Sequence, residues 1–172
     1  MTAKITLVTG GARSGKSRYG ESLITALPPP WIYVATAEAG DAEMAARIAE
    51  HRKRRPADWT IIEAPHELVN AFSRINEAVP VLVDCLTLWL SNRLLADADL
   101  EKETEKLAGA LAHHTGPVVL VTNEVGSGIV PDNALARRFR DAQGRLNQRI
   151  AALADRVVLV VAGLPLVVKG NQ

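Results

Sequence analysis

A single cysteine, Cys85, among 172 residues rules out an intramolecular disulfide. A chain of this length needs no such staple, because one core can bury roughly two-thirds of its unfolded surface. Neither sign of charge predominates. Twenty Lys and Arg against nineteen Asp and Glu leave a formal charge of +1, so no global basic field draws the chain to nucleic acid or an anionic membrane, and any anion binding is local. Aromatics make up only 4% of the residues, and little polar aromatic surface marks a pocket. No apolar run reaches bilayer length; VVLVVAGLPLVV, from Val157 to Val168, carries a Gly-Leu-Pro break. The opening MTAKITLV has no basic-then-apolar leader, which reads as a cytoplasmic chain. There are no internal repeats, no low-complexity tracts and no linker to a second domain, so residues 1–172 read as one domain.

What is present begins with a phosphate cradle. The apolar run KITLVT (Lys4 to Thr9) leads directly into GGARSGKS (Gly10 to Ser17), which fits Gly, four residues, Gly-Lys-Ser. Glycines let successive backbone N–H groups of Gly10, Gly11, Ala12, Arg13, Ser14 and Gly15 converge on an anion, and the following helix adds the partial positive charge of its N-terminus. Lys16 then reaches the terminal phosphates, and the Ser17 hydroxyl is placed for Mg²⁺.

The rest of the chain alternates strand and helix. A helix from about Gly15 to Leu27 is stopped by Pro28-Pro29-Pro30, and WIYVATA (Trp31 to Ala37) is a second buried strand. Gly40 and Asp41 cap a helix from about Ala42 to Arg54; WTIIEAP (Trp59 to Pro65) is strand-like and His66 to Glu77 helical. VPVLVDC (Val79 to Cys85) is a central parallel strand that ends in Asp84 and resembles a Walker B strand, whose carboxylate holds Mg²⁺ beside Ser17; the competing role for Asp84 is a cap on the next helix. Cys85 reads as a small buried hydrophobe. Helices follow at Leu86 to Ala96 and Asp97 to His114, with His113 and His114 in favourable contact with the helix C-terminus. The strand PVVLVTNEVG (Pro117 to Gly126) ends in Asn123 and Glu124, at the sheet edge shared by the phosphate loop and Asp84. A helix from Asp132 to Ala154, weakened in its middle by Gly144, leads into a last strand, Arg156 to Gly163. Right-handed crossovers then give a three-layer α/β domain with a mainly parallel central sheet, a P-loop NTPase (RecA-like) fold.

The second chemical feature is the segment from Arg47 to Arg55. At helical spacing His51 lies between Met44 and Ile48 on one side and Arg47 and Arg54 on the other, at the border of core and solvent. A neutral imidazole flanked by Arg47, Arg52, Arg54 and Arg55 suits attack on an α-phosphate held by guanidiniums, and nearby cations keep its lone pair free. A structural or exposed histidine beside a plain solvated basic run is the simpler alternative.

These segments together resemble the bifunctional adenosylcobinamide kinase / adenosylcobinamide-phosphate guanylyltransferase family of cobalamin biosynthesis. The resemblance rests on TGGARSGKSRYGE (Thr9 to Glu21), IYVATA (Ile32 to Ala37), DAEMAARIAEHRKRRPADW (Asp41 to Trp59), VDCLTLWLSN (Val83 to Asn92) and VTNEVGSGIVPDNALARRFRDAQGRLNQRIA (Val121 to Ala151), nearly the whole chain. It implies two reactions. ATP or GTP phosphorylates the aminopropanol hydroxyl of adenosylcobinamide, and GMP then passes from GTP to that phosphate through a histidine-bound GMP, releasing pyrophosphate. The matching histidine is His51, with Arg52, Lys53, Arg54 and Arg55 lining the nucleotide phosphates, and Ala35, Thr36, Ala37 and Glu63 around the guanine nucleotide. Where many relatives carry a second histidine, this chain has Glu50. The resemblance also implies a homotrimer. The rival readings are a small-molecule kinase without guanylyl transfer, a nucleotide-dependent switch, and a scaffold that retained a phosphate loop. Against the switch, the chain has no Asn-Lys-x-Asp motif, and Asp84 is followed by Cys-Leu-Thr without the glycine of a phosphate-sensing turn.

Overall fold

The computed structural model describes residues 4–38 and 58–171. Seven strands form one sheet: β1 (Ile5–Gly10), β2 (Trp31–Ala35), β3 (Trp59–Glu63), β4 (Val81–Asp84), β5 (Val118–Asn123), β6 (Arg156–Val161) and β7 (Leu164–Lys169). Their order across the sheet is β3-β2-β4-β5-β1-β6-β7, with every neighbouring pair parallel except β6 and β7. The helices are α1 (Lys16–Thr25), α2 (Leu68–Phe72), α3 (Leu86–Leu95), α4 (Leu100–His113) and α5 (Ala134–Leu153). The helix expected over Ala42 to Arg54 lies outside the described residues.

The inner strands carry β-branched and leucine residues on both faces, so each face needs a cover. On one face Ile5, Leu7, Val81, Val83, Val118 and Leu120 pack with residues of α2 to α5, among them Leu68, Trp89, Leu107 and Leu146. On the other, Val8, Leu82, Val119 and Val121 pack with Ile24 of α1 and with Tyr33 and Trp59. Helix α1 approaches closely because position 20 is glycine: a Cβ there would meet the side chains of Val121, Leu82 and Val119 at 3.1 to 3.3 Å.

Three boundaries differ from the sequence expectation, each for a local reason. The helix expected from His66 shrinks to α2, because Asn76 folds its side chain onto the Ala78 N–H and the Glu77 carbonyl accepts from Thr115 and Gly116. Helix α4 starts at Leu100 rather than Asp97, since Asp97 has φ 53 and the carboxylate of Asp99 caps the Lys102 N–H at 3.1 Å. The chain also continues past Gly163 into β7. Ala162 at φ 51 and Gly163 at φ 80 make a two-residue hairpin turn with both central residues left-handed, matching strand twist. Pro165 is tolerated because β7 is an edge strand.

Helix α5 runs unbroken through Gly144, and an added Cβ there meets nothing within 4 Å among the described residues. Gly144→Ala therefore keeps the fold and removes backbone freedom from the unfolded chain. It should raise stability by about 0.5–1 kcal/mol, read as a higher urea midpoint at unchanged slope.

His114, expected as a partner of the α4 C-terminus, is instead a core residue. It is 2% exposed, with Nε2 3.1 Å from the Val79 carbonyl and its ring edge-on to Phe72. Burial holds its pKa below the usual histidine value, against the opposing pull of the Val79 carbonyl. The neutral ring is therefore favoured in the fold. As pH falls below about 6.5 the unfolded chain takes up a proton that the folded chain refuses, so stability is full above that value and declines beneath it. His114→Gln should flatten the pH dependence of the urea midpoint between about pH 7 and pH 5. An unchanged slope in that window would show that His114 does not set it.

Candidate active site

Six parallel strands, β1 to β6, deliver their carboxyl ends to one edge, with Gly10 opposite Asn123, Asp84 opposite Val121, and Ala35 opposite both Asp84 and Glu63. The glycine-rich loop leaves β1 at that edge and enters α1 at Lys16. Left-handed backbone at Arg13 (φ 56) and Gly15 (φ 95) turns it, and the Tyr19 N–H bonds back to Gly15 at 3.0 Å as the first helical turn. The Lys16 ammonium, without a carboxylate partner among the described residues, rests on the Gly11 carbonyl at 3.0 Å inside the loop. Gly11, Ala12, Arg13 and Gly15 are exposed, and Ser14, Lys16 and Ser17 are half-buried. The loop's open side faces solvent.

The β6–β7 turn supports this loop from beneath. Gly163 donates its N–H to the Ser14 carbonyl at 2.8 Å, and a Cβ on Gly15 would come within 3.2 Å of the Gly163 Cα. A side chain at Gly10 would fall 2.5 Å from the Val160 carbonyl, so only glycine admits the loop here.

Asp84 is half-buried at the end of β4, and its Oδ2 accepts the Tyr33 hydroxyl at 3.2 Å. It does not cap α3: the N-cap is Cys85, and no side chain caps that helix. The Asp84–Cys85 peptide, which is cis, is gripped by Thr36, whose hydroxyl accepts from the Cys85 N–H at 2.7 Å and donates to the Cys85 carbonyl at 2.6 Å. Thr36 is fully buried, so its hydroxyl fixes the turn after Asp84. Asn92 of α3 ties the same edge together, donating to the carbonyls of Thr36 at 3.0 Å and Pro65 at 2.9 Å. The Cys85 thiol is pushed up to about 11 by burial first and by the Asp84 charge second, while Lys16 pulls it down. The loop lysine and the strand carboxylate thus both act on one atom, and the thiol stays protonated and inert at neutral pH.

Ala35 and Ala37 are half-buried and Glu63 is exposed at the ends of the next strands. His51, Arg52, Lys53, Arg54 and Arg55 lie outside the described residues. Sequence reading missed Tyr33 and Asn92, whose partners are 51 and 56 positions away and leave no local signal. Among the described residues no group of three or more His, Cys, Asp and Glu gathers to hold a metal, and no helix is long and apolar enough to cross a membrane.

A strand, a glycine loop and a helix N-terminus, with a carboxylate on a nearby parallel strand, define a nucleotide-binding domain of the P-loop class. The solved structure of the RadB recombinase shares the fold, at a TM-score of 0.50 and 17% identity over 90% of this chain and 73% of that one. The family described as cobinamide kinase / cobinamide phosphate guanyltransferase matches residues 6–168. The bifunctional adenosylcobalamin biosynthesis protein CobP of Pseudomonas aeruginosa is 49% identical, over 96% of this chain and 97% of that protein. The corresponding CobU of Salmonella typhimurium is 44% identical, over 95% and 98%. The chain belongs to this family of bifunctional kinase and guanylyltransferase enzymes of cobalamin biosynthesis.

Proposed function

We propose that this chain phosphorylates the aminopropanol hydroxyl of adenosylcobinamide with ATP or GTP, and then converts the product to adenosylcobinamide-GDP through a GMP carried on His51. The observation that carries the reading is the open phosphate loop, with Lys16 folded onto its own Gly11 carbonyl, in a chain that matches the family over residues 6–168. In the first step the substrate oxygen bonds to the γ-phosphorus, the bond to the β-phosphate oxygen breaks, and the hydroxyl proton leaves to solvent. Lys16 and the loop N–H groups neutralise charge on the transferred group, so catalysis is positioning and electrostatics.

In the second step a nitrogen of His51 bonds to the α-phosphorus of GTP and pyrophosphate departs. An oxygen of the cobinamide phosphate then displaces the imidazole, which is regenerated. The phosphoramidate divides one displacement between two anions into two easier ones. Arg52 to Arg55 would hold the phosphate oxygens, and Ala35, Thr36, Ala37 and Glu63 the edge beside the nucleotide. With its hydroxyl on Cys85, Thr36 serves by shaping that edge.

The donor set fits Mg²⁺. One carboxylate, Asp84, and one hydroxyl, Ser17, with substrate phosphates completing the shell, is the sparse protein contribution this ion takes, and the described residues hold no richer cluster. When bound, the ion adds positive charge beside the β- and γ-phosphates. The enzyme would work in the cytoplasm as a homo-oligomer, a trimer by the family resemblance.

Intact-mass spectrometry of the protein with Mg²⁺ and GTP tests the reading. We expect one added GMP, labile to acid and stable to alkali. No adduct and no pyrophosphate, in a protein that still phosphorylates cobinamide, would leave a kinase without guanylyl transfer.

A further inference from the structure

The packing of α1 on β4 brings Asp84 to the phosphate loop. Gly20 of α1 lies over Leu82, whose Cδ1 would stand 3.3 Å from a Cβ at position 20. Ser17 is one helical turn back toward the loop, and Asp84 is two residues further along the strand, on the same face of the sheet as Leu82. Both steps lead to the carboxyl edge, about 5 Å along the helix and about 7 Å along the strand. The Ser17 hydroxyl and the Asp84 carboxylate therefore share one side of the sheet at similar heights.

The neighbouring strand supplies a partner for that carboxylate. Tyr33 of β2 pairs in register with Leu82, which makes Asp84 its diagonal neighbour on the parallel strand, within reach of a long aromatic side chain. The Tyr33 hydroxyl donates to Asp84 Oδ2 at 3.2 Å, and among the described residues Oδ1 accepts no hydrogen bond. The phenol ring is buried in the apolar cluster that holds Leu82 and Trp59. Trp59 meets it edge-on, at 6.2 Å between centroids and 82° between planes, and packs in turn on Trp31 at 5.4 Å. A phenylalanine would fill this site equally, so packing alone does not account for the hydroxyl.

We propose that Tyr33 is a positioning residue for Asp84: its hydroxyl fixes the carboxylate through Oδ2 and leaves Oδ1 for the divalent cation that accompanies the nucleotide. The inference rests on the assignment of Mg²⁺ to Ser17 and Asp84 made above. A hydrogen bond from behind restricts the rotation of a ligating carboxylate, and the affinity of the site depends on that restriction. A phenol is a neutral donor, so it orients Asp84 without cancelling the charge that the cation needs. A lysine or arginine in its place would compete with the ion.

The test is the binding of Mn²⁺, a spectroscopic substitute for Mg²⁺ followed by the paramagnetic resonance of the free ion, to protein saturated with the α,β-methylene analogue of GTP. Without cobinamide neither reaction consumes that analogue. We expect Tyr33→Phe, which keeps the ring and its packing, to weaken Mn²⁺ about 10-fold. Its affinity for the analogue in metal-free buffer should stay within about twofold of wild type. The Mg²⁺ concentration that half-saturates cobinamide phosphorylation should rise by the same factor of about 10, with kcat at saturating Mg²⁺ within about threefold of wild type. Wild-type Mn²⁺ affinity in Tyr33→Phe would overturn the proposal. So would an equal loss of analogue affinity without metal, which would make the tyrosine a support of the nucleotide site as a whole. Asp84→Asn separates the two readings: undiminished Mn²⁺ binding in that variant would remove the cation from Asp84 and the proposal with it. The binding measurement is independent of turnover, so a wild type that fails to phosphorylate cobinamide would refute the kinase reading while the role of Tyr33 is still decided by Mn²⁺.

Discussion

An enzyme carrying His51→Ala should phosphorylate cobinamide at a rate within about threefold of wild type and lose guanylyl transfer by more than about 10³-fold, with no GMP adduct in its mass spectrum. The asymmetry follows from the chemistry. Phosphoryl transfer to a hydroxyl needs a cradle and neutralising charge, which the loop N–H groups and Lys16 supply without an imidazole. Guanylyl transfer between two anions has no nucleophile but the phosphate itself once the histidine is gone. An adduct formed instead on the neighbouring Glu50 would be an acyl phosphate, labile to alkali, and the stability test tells it from the acid-labile phosphoramidate of His51. Equal loss of both activities in a folded variant would mean that His51 serves a shared binding step instead of separate chemistry.

The parts of this molecule legible in its sequence are those with local or periodic causes. The β-branched runs at Ile5, Trp31, Val81, Val118 and Arg156 give strands within a residue or two of their observed starts, because a strand buried on both faces must be continuously apolar. Gly10 to Ser17 announces a phosphate loop because backbone convergence on an anion demands glycine at fixed spacing. The β6–β7 hairpin escaped because Ala162-Gly163 is a weak form of the Asn-Gly turn signal, and because Pro165 looks like a strand breaker when edge position is unknown. Its contribution to the site, Gly163 on Ser14, joins residues that are remote in sequence.

Thr36 shows the same limit in another form. The family resemblance marked it for the guanine nucleotide, while the bonds of its hydroxyl to Cys85, which fix the turn after Asp84, join residues 49 positions apart that no local pattern links. Asn123 illustrates the converse. Its position at the strand end was readable, but the grip of Thr87 and Asn147 on its backbone depends on α3 and α5 converging behind β5, which no spacing in the chain announces.

Lys16→Ala should lower kcat/KM for cobinamide phosphorylation on the order of 10²–10³-fold, the loss that follows removal of one preorganised charge from a developing anion. Stability should scarcely change. The ammonium's one bond among the described residues is to the Gly11 carbonyl, a group on an exposed loop that water can satisfy instead. Lys16→Arg should rescue poorly, because a planar guanidinium reaches further and cannot sit as a point charge against the β- and γ-phosphates inside a loop whose floor is set by Val160 and Gly163. The same variant should also slow the appearance of the GMP adduct, since pyrophosphate leaving from GTP develops its charge on the oxygens the lysine holds. A Lys16→Ala enzyme with undiminished phosphorylation would remove the cradle from the mechanism. One that phosphorylates slowly yet forms the adduct at the wild-type rate would instead place the guanylylating GTP away from this loop, making the two reactions spatially separate on one sheet edge.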